Sequence, residues 1–367
     1  MKIECPACQK AYKIPDEKIP FGKKFSVPCS ACKKKIVIDL RTKAKPDEPN
    51  KPDEPVKPKP IPEAKKKVPA APPAPAASFG KKQPSGMKLK YGILRTMDDL
   101  PAMPHVVQKA QQIMARPDSN VKELARIIEI EQAIATRVLK IANSAYYGLS
   151  GKVSSVHHAS VLLGFKTLGE LVSVAGISNL MSKDLRGYGL ESGDLWRHSI
   201  AVAFGSRIIA NRKDADFGNQ AFFAGLIHDA GKLVLDPYVY ERKDDFDEFM
   251  ANGDHTYLVA EKTILGFDHS EIAFELCQKW KIPTDQSQAI KFHHAPSRSD
   301  GNELAFILHI ADHIAMINGY QSEAESSDYP AEDGAMDFLD LKEEDVENIK
   351  NDVHESVEKI SQEVHAA

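Results

Sequence analysis

Residues 41–90 hold 12 prolines in 50 positions, in stretches such as KPDEPNKPDEPVKPKPIP, and nothing else in the sequence limits the possible folds as strongly. Proline fixes φ and removes a backbone donor, and this segment has too few apolar side chains to bury, so a semi-extended, disordered tether is expected. The imperfect KPDEP repeat is spacing, not a folded repeat. Folding is therefore expected on either side of it. Residues 1–40 form a small module, residues 91–320 the main domain, and residues 321–367 an acidic loop with a final helix near 342–364.

Charge follows the same division. Residues 1–90 carry 22 Lys and Arg against 9 Asp and Glu, a net of +13, whereas the remainder carries 26 against 43, a net of −17. A basic N-terminal segment can approach nucleic acid, anionic lipid or an acidic protein face, including the chain's own acidic remainder. The start MKIECPACQK lacks the apolar stretch of a secretory signal. No run approaches the roughly 20 apolar residues of a membrane span. A cytoplasmic location is the expectation, and four of the five cysteines in CxxC pairs suit a reducing compartment.

Those pairs are Cys5 with Cys8 and Cys29 with Cys32, separated by 20 residues. Each pair grips a metal from a tight turn, and together they offer the tetrahedral thiolate shell that Zn²⁺ accepts. Such a shell is closed, so its metal is structural, and binding it replaces the core that about 40 residues cannot build. Iron in the same shell is the alternative. Short β-type runs, Lys24–Val27 and Ile36–Leu40, flank the second pair. The nine lysines of residues 1–40 either contact nucleic acid or offset the charge of the thiolates.

From Leu94 onward nearly every segment shows helical periodicity with breaks at glycine or proline, so the main domain is expected to be all-α. Its chemistry-bearing residues are His198 in DLWRHSIAVAF, His228 and Asp229 in FFAGLIHDAGKLVL, His269 in GFDHSEIAFEL, His293 and His294 in IKFHHAP, and Asp312 in LHIADHIA. Nitrogen and oxygen donors of this kind can converge on one divalent ion, such as Fe, Mn, Zn or Mg. Cys277 reads as a buried small apolar side chain, Ser155 as a helix cap, and Gly164 as a break between two helices. Tyr146 and Tyr147 read as packed rings.

The pattern CPACQKAYKIPDEKI…VPCSACKKKI, with Tyr12 and Pro15, resembles the zinc ribbon found at the start of many bacterial regulatory proteins. The segments LPAMPHVVQKAQQIM, IEIEQAIATRVLKIANSAYYG, VSSVHHASVLLGFKTLGELV and GLIHDAGKLVL resemble the HDOD domain, an output domain related to the HD phosphohydrolases, in the right order from about 94 to 315. The resemblance implies an all-helical, HD-like bacterial signalling domain that acts through contacts with signalling proteins and does not require catalysis. It maps the HD enzymes' ligands onto His198, His228, Asp229 and Asp312. The further histidines of the two-metal HD-GYP branch map onto His269 and onto His293 or His294, and its lysine onto Lys232. The sequence APSRSDGNE after His294 lacks that branch's Glu and GYP segment. The implied alternative is a metal-dependent phosphohydrolase acting on a nucleotide or cyclic dinucleotide, with Asp229 and Lys232 as its catalytic groups.

Overall fold

The computed structural model describes residues 2–4, 11–13, 24–28, 35–39, 85–96, 103–214, 217–252, 255–320 and 330–364. The chain divides into two units, Met1–Ser78 and Phe79–Ala367. In the first, β1 (Lys2–Glu4) pairs antiparallel with β2 (Ala11–Lys13), and β3 (Lys24–Pro28) with β4 (Lys35–Asp39), close to the two runs expected from sequence. Cys5, Cys8, Cys29 and Cys32 fall in the two connections, outside the described residues, as does the expected tether as far as residue 84.

The second unit is all-α among its described residues. Its first helix, α1 (Gly86–Thr96), begins inside the stretch assigned to the tether, because Leu89 and Ile93 stand four residues apart on one face and are both buried. Helices α2 (His105–Met114), α3 (Val121–Ile130) and α4 (Gln132–Ala142) pack on α5 (Val156–Met181). Asn120 caps α3 by accepting from Lys122 N and Glu123 N, and Ser155 caps α5 by accepting from His158 N.

Gly164 interrupts α5 with φ 77° and ψ −177°, backbone that essentially only glycine adopts, so the two helices expected there meet at a kink. By length and composition α5 is nevertheless long and apolar enough to cross a membrane, with a mean hydropathy of 1.4 over its most apolar window, although polar residues interrupt that window. Most of that window, 61%, is buried inside the protein.

The other half is built on α6 (Asp194–Asn211), which is buried nearly all round by Trp196, Ala201, Val202 and Phe204. Against it lie α7 (Phe217–Ile227) and α13 (Glu303–Ile317). Between these run α8 (Ala230–Tyr240), α9 (Lys243–Ala251), α10 (Tyr257–Ile264), α11 (His269–Lys279) and α12 (Thr284–Lys291). A short α14 (Ala335–Phe338) precedes α15 (Glu343–Val364).

The acidic C-terminal stretch is less solvated than its charge suggests. Ile349, Val353, Val357 and Ile360 give α15 an apolar stripe that is buried, in part against α6, and Arg212 pairs with Asp345 at 3.0 Å. Cys277 is fully buried, and burial pushes its thiol up to about 12. Tyr146 and Tyr147 pack edge to face, with Arg207 hydrogen-bonded to the Tyr146 hydroxyl.

Candidate metal centre

The fold delivers the His and Asp side chains from helix ends and one helix middle. His198 lies one turn into α6, and α7 ends at Ile227, so His228 and Asp229 occupy the corner before α8 begins at Ala230. His269 opens α11, capped by Asp268, which accepts from Glu271 N at 2.9 Å. His293 and His294 follow α12, and Asp312 sits within α13. The corner depends on a glycine: a Cβ on Gly231 would lie 1.9 Å from the His269 carbonyl oxygen, so only hydrogen at this position lets α8 approach the start of α11.

The seven His and Asp residues named as chemistry-bearing in the helical domain, together with Lys232, meet at one place. Four of them, His198, His228, Asp229 and Asp312, form a first set. His198 Nε2 lies 3.3 Å from His228 Nε2, 3.2 Å from Asp312 Oδ1 and 3.6 Å from Asp229 Oδ2. His228 Nε2 lies 3.6 Å from Asp229 Oδ1 and 3.9 Å from Asp312 Oδ1. Two ligands each about 2.1 Å from one ion stand about 3.0 Å apart at a right angle and about 3.4 Å apart at the tetrahedral angle, so these separations suit a shared ion.

The second set is Asp229, His269, His293 and His294, whose donor atoms lie within 4.8 Å of one another. Here His269 Nε2 is 2.8 Å from His294 Nε2 and 3.2 Å from Asp229 Oδ1, and His293 Nε2 is 3.9 Å from the same oxygen. Asp229 belongs to both sets. Where the resemblance left His293 or His294 as alternatives, the structure brings both to the centre, their rings 3.8 Å apart.

The outward nitrogens fix the tautomers. His198 Nδ1–H donates to Tyr320 O at 2.6 Å, His228 Nδ1–H to Gly225 O at 2.8 Å, and His293 Nδ1–H to Ile290 O at 2.6 Å. A carbonyl only accepts, so each Nδ1 carries the proton and each Nε2 turns a lone pair to the centre. His269 Nδ1–H donates to Glu261 Oε2 at 2.8 Å, the carboxylate–imidazole arrangement that orients metal-binding histidines. The Nε2 pairs at 3.3 and 2.8 Å can be bridged by a shared proton or by a cation that replaces it. His293 Nε2 is buried without a hydrogen bond, a further atom that an ion would satisfy. The donors present therefore fit a divalent ion.

Electrostatics follow the same logic. Burial wins at three imidazoles, lowering His228, taking His293 down to about 3 with help from His228, and holding His294 well below its ordinary value with help from His293 and His269. At two others burial is overcome: Asp312 and Asp229 raise His198, while Glu261 and Asp229 take His269 up to about 10. Asp229 stays below the usual carboxylate range despite its burial, first because of Lys232, and Asp312 likewise because of His198. Protons on His198 and His269 thus sit where positive charge is needed when no ion supplies it.

Lys232 lies in the first turn of α8 and is not a surface lysine. It is buried on α8, one turn beyond Asp229, with Nζ 2.9 Å from Asp229 Oδ2. Glu261 escaped the sequence reading altogether. It is fully buried, accepts from the His269 backbone N–H at 2.8 Å and from the Tyr188 hydroxyl at 2.6 Å, and holds the His269 ring. Its one signal is register, because Tyr257, Ala260 and Glu261 share the buried face of α10 and place an acid where an apolar residue is expected. His309 was also missed. Its Nδ1–H donates to His293 O at 2.7 Å and its Nε2 accepts from Glu332 N at 2.7 Å.

The HDOD family model matches residues 100–296, more than half of the chain. The chain belongs to the HDOD family. A zinc-ribbon family model matches residues 1–37. An uncharacterized protein of Treponema pallidum (strain Nichols) is 25% identical to this HDOD protein over 212 residues, 56% of this chain and 40% of the relative, so the chain spans well under half of that relative's length. Solved structures share the fold. An HDOD domain protein with unknown function from Geobacter sulfurreducens aligns at TM-score 0.62 and 21% identity, covering 74% of this chain and 96% of its own. A proposed phosphohydrolase from Shewanella amazonensis SB2B aligns at TM-score 0.59 and 24% identity over 74% and 97%. A proposed signal transduction protein from Marinobacter aquaeolei VT8 aligns at TM-score 0.61 and 22% identity over 75% and 64%.

Proposed function

We propose that the protein is a signalling regulator whose HDOD domain holds a divalent ion at the His/Asp centre and acts through contacts with other signalling proteins. Zinc held by Cys5, Cys8, Cys29 and Cys32 organises the N-terminal module. The observation that carries this reading is a complete donor set around a very small cavity. The space bounded by His198, Asp229, Lys232, His269, His294 and Asp312 measures ≈ 40 Å³, and Tyr257, Leu258 and Met316 also line it. A buried water needs about 10–15 Å³ on this measure, so there is room for an ion's waters. Small-molecule substrates use pockets of about 300–1,000 Å³. The ion then acts chiefly as a clasp, joining α6, α13 and the ends flanking α7, α11 and α12.

Five imidazoles and two carboxylates favour Fe, Mn or Zn over Mg, which prefers an all-oxygen shell. A second reading, a metal-dependent phosphohydrolase, draws support from Lys232, whose buried ammonium would stand beside the anion of a phosphoryl substrate. A bound ion supplies Lewis acidity and lowers the pKa of a coordinated water. Lys232 and Asp229 would then hold charge and orient that water.

Elemental analysis of the full chain tests the proposal. A Cys5→Ser, Cys8→Ser, Cys29→Ser, Cys32→Ser variant is expected to lose the ribbon zinc and retain metal that Asp229→Ala removes. A metal-free cysteine variant would refute the clasp. Turnover of a phosphodiester panel by wild type but not by Asp229→Ala would replace the regulatory reading with the enzymatic one.

A further inference from the structure

A second and much larger cavity, ≈ 650 Å³, opens between the N-terminal helices and the metal-binding half. Its size falls within the range of small-molecule sites, and its lining differs in kind from the His/Asp centre. Six carboxamides reach it from three helices: Gln108, Gln111 and Gln112 of α2, Asn219 and Gln220 of α7, and Gln286 of α12. Gln108 Nε2 already donates to Trp280 O at 3.1 Å and Gln111 Nε2 to Ser173 Oγ at 3.0 Å, while a carboxamide's donor and acceptor on one rigid plane are the pattern that pairs with the amide and amidine edges of nucleobases. Phe165, Phe223 and Trp280 supply aromatic surface.

Among the charged lining residues Arg116, Lys166 and Lys281 outnumber Asp285. Arg116 is already engaged by Glu123 and Lys166 has a partner of its own, so exposed Lys281 is the cation offered to a ligand. Lys281 is held at φ 58°, a left-handed position after α11 where glycine is usual, with its neighbour Ile282 N–H donating to Cys277 O at 3.0 Å. With a single carboxylate the cavity lacks the donor set of a cation site. Trp280 Nε1 and Gln286 Oε1, one donor and one acceptor, are buried without hydrogen-bond partners in its lining.

We propose that this cavity binds a nucleotide, with the carboxamides reading the base edge, the aromatic side chains covering its faces and Lys281 meeting the phosphate. The location gives such a ligand a route to the rest of the molecule. Helix α7 runs from Asn219 and Gln220 directly into His228 and Asp229, and α12 runs from Gln286 into His293 and His294. A nucleotide here touches both helices whose ends carry metal-centre residues, and so is placed to act as the input that the regulatory reading needs.

Isothermal titration of the full chain with AMP, GMP, adenosine and ribose 5-phosphate tests the site. At least one nucleotide is expected to bind, with adenosine and ribose 5-phosphate each weaker by about tenfold or more. Lys281→Glu and Gln220→Ala alter exposed side chains. Each is expected to weaken the nucleotide by about fivefold or more while leaving bound metal unchanged, and Lys281→Glu should leave adenosine unaffected. No binding of AMP or GMP at about millimolar concentration overturns the proposal. So does ribose 5-phosphate matching the nucleotides. Binding that survives Lys281→Glu and Gln220→Ala but is lost in Asp229→Asn assigns the nucleotide to the His/Asp centre instead. Metal content is measured separately, so failure of this site leaves the metal reading intact.

Discussion

Replacing Gly231 with alanine gives a test in which two physical effects have opposite signs. In an unobstructed helix, Gly→Ala stabilises by about 1 kcal/mol, because the unfolded chain loses freedom and the helix gains a good former. Gly231 is obstructed. The new Cβ would sit 1.9 Å from His269 O and 2.8 Å from Ala273 N, against an ordinary contact of 3.4 Å or more. These are backbone atoms at the start of α11, so the helix ends must separate by about 1.5 Å, and overpacking of this kind costs about 1–3 kcal/mol or more. With a backbone clash this close the cost lies at the upper end of that range, and the net expectation is destabilisation of about 2 kcal/mol, lowering Tm by about 4–8 °C for a unit of this size. The same displacement carries His269 Nε2 away from Asp229 Oδ1, now 3.2 Å distant, and should reduce bound metal. Gly92, on an exposed face of α1 with nothing near its Cβ position, is the control, and Gly92→Ala should raise Tm slightly. Thermal denaturation by far-UV circular dichroism and elemental analysis give the readouts. A Gly231→Ala protein as stable as wild type, with its metal retained, would refute the close-approach argument.

Asp229 is shared by both donor sets, so Asp229→Asn should strip more metal than His294→Ala, and equal losses would show that the sets do not share it. Protons on His198 and His269 compete with a metal, so affinity should rise between pH 6 and 8 by about one to two powers of ten per pH unit in equilibrium dialysis; a flat profile contradicts the assignment. Asp268 is depressed to about 2 despite burial, chiefly by His269 and by donors from Ser270 and Glu271. Its contribution, on the order of 2 kcal/mol, is therefore present above about pH 4 and lost as pH falls towards 2, and Asp268→Asn should flatten that part of the acid stability profile. The buried Glu170–Arg207 pair, 2.7 Å apart, should lose about 3–5 kcal/mol in Arg207→Met, with part recovered in the double variant Arg207→Met, Glu170→Leu as measured by urea unfolding.

The metal reading shows where sequence information stops. His228 and Asp229 are adjacent and end an apolar helix, so their chemistry is visible as a string. His198 and Asp312 stand 114 positions apart, yet each lies on a helix whose apolar pattern orients it inward. Glu261 has no such string. It matters because the turn between α10 and α11 folds its carboxylate back onto His269, a relation of two helix axes and not of spacing. The Tyr320 carbonyl that fixes the His198 tautomer is less visible still, since any residue has a carbonyl.

Local pattern by itself determined the split into a cysteine module, a proline-rich stretch and a helical domain, together with the caps at Ser155 and the break at Gly164. These follow from proline's missing donor, thiolate spacing and backbone freedom at single residues. It did not show α8, α9 or α12. Helix α8 carries Pro237, and α9 and α12 are short and rich in charged or polar residues, so packing on neighbouring helices supplies what their own periodicity lacks. Tertiary structure alone decided that α15 buries its stripe and that the metal centre is cramped. It also decided that a roomier cavity lies elsewhere, between helices that are far apart in sequence. Cavity volume is set by how helices cross, and no residue's identity records that.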